Sequence, residues 1–510
     1  MSATNKAACT PMRRRAEPSI FLKEVFAHVE EHRDRPFLVD AVFDRVWTYG
    51  GMQDAARRIA FVLADRYAVA PGARIGIVLE NSAEFALLYF AALYGGYTAV
   101  PVSPQTNPAE AAFLLRGARV ALVVAAASTR ALAEIGVPIF DVDTDWPAGD
   151  SELVDQKWPG YSDPETPFSI TFTSGTTGVP KGVVHARRSL FAAARAFNAV
   201  HEFGPHTRMF HLFSMSYMAG FLNTLLCPFF AGGSVVVGVA FDPQLALRFW
   251  DVPIRHQVNT FWLAPAMIAA LVRADRNAAG SAYAREHIES VCVGTAPMPA
   301  VLAQAFVDKY GRIASESYGL SETLFVSSNT PKAHTSATVG APLPGVRIAF
   351  GNDGEISIGG AFMFLGYLDY ETGAAVAGDD DGWFRSGDLG EIDANGMLMI
   401  TGRKKDLIIR GGVNVSPRAV EETLLGHAAI ADVAVIGMPH EFYGEEVVAV
   451  IELAAGAKLE PIQPELVALC KSRLNAASVP ARFIALDQLP KSSNGKVQKA
   501  RLREMLGTPP

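Results

Sequence analysis

The stretch "TFTSGTTGVPKGVVH", Thr171 to His185, crowds serine, threonines, three glycines and one lysine into a short run. Just upstream, "FSITFT" (Phe168 to Thr173) reads as a buried strand, and Ser189 begins the amphipathic helix "LFAAARAFNAV". The Gly/Thr-rich segment is therefore predicted to be a loop that leaves a sheet in front of a helix. Phosphates are commonly held at such places, because glycine lets backbone N–H groups approach an anion and hydroxyls add donors. The P-loop of ordinary nucleotide hydrolases requires Gly-Lys-Ser/Thr at its end, whereas here Pro180 precedes Lys181 and Gly182 follows it. That match fails, and composition alone leaves two readings open: a phosphate cradle, or a flexible turn with no ligand.

Outward from this loop, strand and helix patterns alternate. "ARIGIVLE" (Ala73 to Glu80) is an apolar strand, Ser82 can cap the helix "AEFALLYFAALY", Gly95 and Gly96 can end it, and "YTAVPVSP" returns as a strand. This is a βαβ unit, and the further apolar strands "VALVVA" and "SVVVGVAF" extend it into a large α/β body of mainly parallel sheets. After about Pro344 the pattern changes. "GVRIAF", "GNDG" and "EISI" read as strand, turn and strand, and "EIDANGMLMI" repeats the device with Asn395 and Gly396 at its tip, which predicts a small barrel-like β subdomain. Beyond the "GRKKD" connection, "DVAVIG", "EVVAVIEL", "ELVALCKSRL" and "RFIAL" alternate afresh as a small α+β domain. The expected division is residues 1–404 as a large N-terminal domain and 405–510 as a small C-terminal one.

Composition excludes several classes. The chain has 510 residues, half of them hydrophobic, so it can bury a large core, and its net charge of −7 provides no basic surplus for nonspecific nucleic-acid binding. Small molecules or proteins are the expected partners, and the chain is expected to be a monomer or homodimer. Cys9, Cys227, Cys292 and Cys470 are scattered without metal-ligand spacing and read as ordinary reduced residues, which suits the cytoplasm. Arg13, Arg14 and Arg15 precede a charged segment of helical periodicity, so a surface helix behind a loose tail is expected there and not a targeting signal. Met209 to Phe241 contains no acid, lysine or arginine and is long enough to span a bilayer. Asn223, Pro228, Gly232 and Gly233 would break a spanning helix, and buried strand, helix and strand is the expectation.

"TSGTTGVPKG" resembles the signature of the adenylate-forming superfamily, which includes acyl-CoA and aryl-CoA synthetases, amino-acid adenylation domains and firefly luciferase. The resemblance covers nearly the whole chain, because "GTAP" (Gly294 to Pro297), "YGLSET" (Tyr318 to Thr323), "GWFRSGDLG" (Gly382 to Gly390), "GRKKDLIIRGGVNVSP" (Gly402 to Pro417) and "PKSSNGKVQK" (Pro490 to Lys499) follow in the expected order. It implies that a carboxylate is joined to the α-phosphate of ATP with release of pyrophosphate, after which a thiol attacks the acyl-adenylate. A carboxylate is already ionised at neutral pH, so catalysis should consist of charge neutralisation and alignment.

The resemblance also implies residue roles. Thr173, Ser174, Gly175, Thr176, Thr177 and Lys181 would cradle the departing phosphates; Glu322 would hold Mg²⁺, a hard cation favouring oxygen. Ser321 stands where the family usually has threonine and keeps the hydroxyl. Gly294, Thr295, Ala296 and Pro297, with Tyr318 and Gly319, would enclose adenine, and Asp388 would accept the ribose hydroxyls with Arg403 nearby. Lys496 would be the adenylation lysine, and Lys405 the hinge about which the small domain swings between half-reactions. The acid pocket should include Tyr217, at a position that carries Asp in amino-acid-activating domains and often His in CoA synthetases. Met215, Phe221, Val293, Leu320 and Phe325 are further candidates for its wall. With no carboxylate to pair an ammonium group, an uncharged aryl or short to medium acyl acid is favoured. Arg187, where the family commonly has His, reads as structural.

The thiol could belong to CoA or to the phosphopantetheine of an acyl carrier protein. A luciferase-type oxygenase would share every adenylation residue, and a noncatalytic binding module would need a broken constellation.

Overall fold

The computed structural model describes residues 19–126, 132, 135–147, 163–173, 179–242, 244–276, 278–378, 381–491 and 497–507. Ser174, Gly175, Thr176, Thr177, Lys496, Cys9 and the Arg13–Arg15 run lie outside the described residues.

The helix Ala83–Gly95 shows how the large body is built. Ser82 Oγ accepts from Phe85 N at 3.1 Å to open it, and Gly96 closes it at φ 72°, a conformation glycine adopts without steric cost. Apart from Glu84 the helix is buried throughout, as a sequence apolar on every side demands. It lies in one continuous core shared by two sheets. One side of that core holds Ile75, Ile77 and Leu122 of an eight-stranded sheet, the other Phe37, Leu38, Val235 and Trp262 of a nine-stranded sheet. The nine-stranded sheet is parallel at its centre and antiparallel at both edges, whereas the eight-stranded sheet is antiparallel at one edge and parallel through to the other, where Leu122–Ala125 pairs with Ile139–Asp141.

Strand alternation sorts side chains between this inner core and the outer layers. Along Thr260–Leu263, Trp262 points inward while Phe261 and Leu263 pack outward; along Ser290–Val293, Cys292 points inward and Val291 and Val293 outward.

The opening loop departs from expectation. Between it and the helix Arg187–His201 stands a strand, Lys181–Ala186, which pairs antiparallel with Pro167–Thr173 from Ser169↔His185 to Thr173↔Lys181. The loop is thus a hairpin connection and not a strand-to-helix turn. The "VVH" that follows Lys181 supplies β-branched residues for a strand, which the prominence of the glycines concealed.

Met209–Phe241 folds as the buried alternative: strand Arg208–His211, a π-helical segment Ala219–Leu226, a short helix Cys227–Phe230 and strand Ser234–Val237. Among the described residues no helix is long and apolar enough to cross a membrane.

Where a barrel-like subdomain was expected, Val346–Phe350, Glu355–Gly360, Phe384–Ile392 and Leu398–Arg403 form a four-stranded antiparallel sheet. The last hundred residues carry their own five-stranded sheet, including Ile430–His440, Gly444–Leu453 and Arg482–Leu486, with the helix Leu459–Arg473 over it. Ile408, Val435, Val447 and Leu466 centre a separate core there.

Candidate active site

Parallel strands leave a crevice beyond their C-terminal ends, and the "GTAP" and "YGLSET" motifs lie at that edge of the nine-stranded sheet. Strand Thr260–Leu263 pairs with Ser290–Val293, which pairs in turn with Ala314–Leu320. Immediately past Val293, the "GTAP" turn holds Thr295 at φ 73°, an uncommon left-handed setting for a β-branched residue. Gly294, Thr295, Tyr318 and Gly319 border the crevice; Ala296 and Pro297 do not line it.

Three separately nominated residues meet on one carboxylate. Tyr318 Oη donates to Asp388 Oδ2 at 2.7 Å, and Arg403 Nε lies 2.9 Å from Asp388 Oδ1. The four-stranded sheet sets this up, since Asp388 and Arg403 are register partners across adjacent strands. The Asp388 backbone N–H also donates to Ser386 Oγ at 3.0 Å. Asp388 is only 3% exposed, so its charge is held by partners instead of water. Burial, reinforced by the Asp388 charge, raises the Tyr318 phenol well above its ordinary range, and it stays a donor.

A second group forms around Tyr367. Its hydroxyl donates to Glu322 Oε1 at 2.7 Å, and the Lys181 ammonium sits over its ring, 4.7 Å from the centroid. Tyr367 reaches this point because its strand, Gly366–Leu368, pairs with the Lys181–Ala186 strand at Tyr367↔Val183. His185, from the same strand, donates through Nε2 to the Ser321 carbonyl at 2.5 Å and pins the "YGLSET" segment. Burial pushes the His185 imidazole down to about 4, so it remains neutral near pH 7. Thr173 lies at the end of its strand, its hydroxyl donating to the Lys181 carbonyl at 3.5 Å. Sequence reading missed Tyr367 altogether and quoted His185 without giving it a role. A Tyr in an edge strand carries no motif signal, and its function depends on a pairing distant in sequence.

Adjacent to the clamp is a cavity of about 80 Å³, bordered by Tyr217, Leu222, Asn223, Trp262, Leu320 and Phe325 among others. None of the described residues that line it is charged. Of the residues nominated for the acid wall, Tyr217, Leu320 and Phe325 border this cavity. Met215, Phe221 and Val293 require correction, for they turn away into packed core. Phe221 stacks on Tyr89 with centroids 3.9 Å apart, the Met215 carbonyl accepts from Tyr89 Oη at 2.7 Å, and Val293 faces the outer helices because alternation puts it opposite Cys292. The same alternation, applied to "TFWL", would have found Trp262.

Arg187 is fully buried, its guanidinium 5.9 Å from the Phe168 ring, and burial lowers its pKa to about 10. Lys405 is exposed in a tight turn, Lys404–Asp406, that joins the antiparallel sheet to the C-terminal section. Around the Lys496 segment, Lys491 pairs with Asp432 at 2.6 Å and Lys499 with Glu421 at 2.7 Å, so these two basic residues have structural partners.

Comparison with known proteins identifies the family. The AMP-binding enzyme family matches residues 25–368, and the AMP-binding enzyme C-terminal domain matches residues 419–496. Sulfoacetate–CoA ligase of Cupriavidus necator is 29% identical, the match covering 96% of this chain and 99% of that protein. A 3-[(3aS,4S,7aS)-7a-methyl-1,5-dioxo-octahydro-1H-inden-4-yl]propanoyl:CoA ligase of Rhodococcus jostii is 30% identical over 90% of this chain and 93% of its own length. Among solved structures, ATP-bound MatB from Rhodopseudomonas palustris superposes with a TM-score of 0.83 at 26% identity, covering 94% of this chain and 98% of that one. The o-succinylbenzoate CoA synthetase (MenE) of Bacillus subtilis in complex with its acyl-adenylate gives 0.81 at 26% identity, covering 94% and 97%. The chain belongs to the AMP-binding enzyme family and is an AMP-forming acyl-CoA synthetase.

Proposed function

We propose that this ligase activates a small uncharged carboxylic acid with ATP, releasing pyrophosphate, and passes the acyl group from the adenylate to the thiol of CoA. The observation that carries the reading is the Tyr318–Asp388–Arg403 clamp standing beside a cavity without charged lining. Asp388 would accept the ribose hydroxyls, and Lys181 with the Thr173–Thr177 run would neutralise the departing phosphates. Ser321 would face the α-phosphate and Lys496 the developing charge on the reacting oxygens. No general base is required, because the acid arrives ionised. Glu322 fits a hard cation, as one carboxylate oxygen takes the Tyr367 hydroxyl and the other has no side-chain partner among the described residues. Mg²⁺ held there would offset phosphate charge.

Some similar ligases are named for acids with a second anionic group, sulfoacetate in one case and malonate in another. An unpaired anion buried in an apolar cavity costs several kcal/mol, and no cation lines this one among the described residues. That supports an acid whose single charge is the reacting carboxylate.

We further assign residues 1–404 to the large domain and 405–510 to a small domain that swings at Lys405, in a cytoplasmic enzyme whose described cysteines are free thiols. The test is acid-dependent pyrophosphate release across a carboxylate panel, repeated with CoA and with a phosphopantetheinylated carrier protein as acceptor. Thioester on CoA is the expected product. If ATP bound but no acid gave pyrophosphate exchange, the chain would be a binding module; transfer to the carrier alone would replace CoA as acceptor.

A further inference from the structure

Two of the neutral polar groups that border the cavity, the Trp262 indole and the Asn223 amide, have no hydrogen-bond partner among the described residues. Trp262 is 1% exposed, and its indole Nε1–H is buried with no hydrogen-bond partner among the described residues. Buried tryptophans usually find an acceptor for that hydrogen. Here alternation along Thr260–Leu263 turns the ring inward to the cavity, stacked against Phe325 at 5.4 Å. A Cβ at Gly294 would lie 3.5 Å from Nε1, so the glycine leaves the N–H uncovered on that side. Asn223 is 8% exposed and also lines the cavity, projecting from the π-helical segment Ala219–Leu226. No other described residue engages its amide, although its neighbour Thr224 donates to the Gly220 carbonyl and bonds His211.

The chemistry of these groups is specific. An indole N–H can only donate, and a carboxamide can donate or accept. A wholly apolar acid entering the cavity would strand both groups away from water, at about 1–3 kcal/mol each. A neutral oxygen on the acid would satisfy them. Sites built to hydrogen-bond a substrate reject analogues lacking the group far more strongly than apolar pockets reject a missing methylene. Size points the same way: the cavity is about 80 Å³, against about 150 Å³ for an apolar cavity that takes up benzene.

We propose that the acid activated here is short and carries a neutral hydroxyl or oxo group apart from its carboxylate, received by Trp262 Nε1–H and the Asn223 amide. This rests on the ligase reading above and adds to it the chemistry of the acid.

The test uses the full-length enzyme, ATP, Mg²⁺ and matched acids: butanoate against 3-hydroxybutanoate and 3-oxobutanoate, and 2-methylpropanoate against 3-hydroxy-2-methylpropanoate. The readout is kcat/KM for pyrophosphate release. At least one oxygenated acid should exceed its parent by about tenfold or more. Trp262→Phe, which removes the N–H and keeps a ring, and Asn223→Leu should each draw that ratio toward one while ATP binding is retained. Two variants on different elements guard against misfolding in either, and melting temperature identifies a misfolded one. Parent acids turned over as well as their oxygenated partners would overturn the proposal, as would a preference that survives both substitutions. Absence of turnover with every acid, while ATP binds, would remove the ligase reading and this inference with it.

Discussion

The Tyr318–Asp388–Arg403 clamp and the uncharged cavity that Tyr318 also borders differ in completeness. At the clamp every strong group already has a partner: Tyr318 and Arg403 bond the two oxygens of Asp388, and Ser386 fixes its backbone. In the cavity, Trp262 and Asn223 have none among the described residues. A satisfied charge network needs no ligand to be stable, so it can be the same in many enzymes that share one nucleotide. Unsatisfied neutral groups in an apolar wall define what is missing, and that differs between enzymes. Substitutions should therefore fall into two classes, one altering the response to ATP and the other altering the ranking of acids.

The largest expected effect belongs to the nucleotide side. Lys496→Ala should slow adenylate formation by roughly 10²–10³, the scale for removing one oriented donor, while supplied acyl-adenylate plus CoA still gives thioester at near-normal rate. Single-turnover kinetics of each half-reaction decides this, and equal loss in both would remove the division between them. Asp388→Asn should weaken ATP binding by about 10–100-fold, because hydrogen bonds to charged groups contribute about 1.5–3 kcal/mol. The order of preference among acids should not change, and calorimetry with ATP beside an acid panel would reveal a reordering that breaks the comparison.

On the acid side, Tyr217→Ala should shift preference toward bulkier acids by about tenfold with ATP affinity nearly constant. Uniform loss across all acids together with weakened ATP binding would contradict its placement. The smallest effect should come from Tyr367→Phe, which deletes one hydrogen bond to Glu322 and leaves the ring under Lys181. A penalty of about 0.5–1.5 kcal/mol should appear as a raised Mg²⁺ requirement for pyrophosphate release, and an unchanged Mg²⁺ titration would separate Tyr367 from the cation site.

The same contrast governs what could be read without coordinates. Tyr318, Asp388 and Arg403 were legible because each sits in a motif whose chemistry demands a fixed residue, and the antiparallel register then brings Asp388 opposite Arg403. The βαβ unit, the hairpins and the C-terminal alternation were legible from periodicity and turn residues. The cavity wall was only half legible. Met215, Phe221 and Val293 have the same apolar character as true lining residues, and only the facing of a strand or helix separates them. Trp262 was not singled out, for the same reason. Tyr367 and His185 depend on the pairing of Gly366–Leu368 with Lys181–Ala186, a long-range contact that no local pattern announces.

The stem of the opening hairpin has a consequence for how the loop can vary. Lys181 is held by cross-strand pairs running from Ser169↔His185 to Thr173↔Lys181. Insertions or deletions between Ser174 and Gly178 would consequently change the length of the bridge without moving its anchored end. The lysine is mounted on the sheet, and the loop can be re-cut by mutation while its cation stays in register with Tyr367.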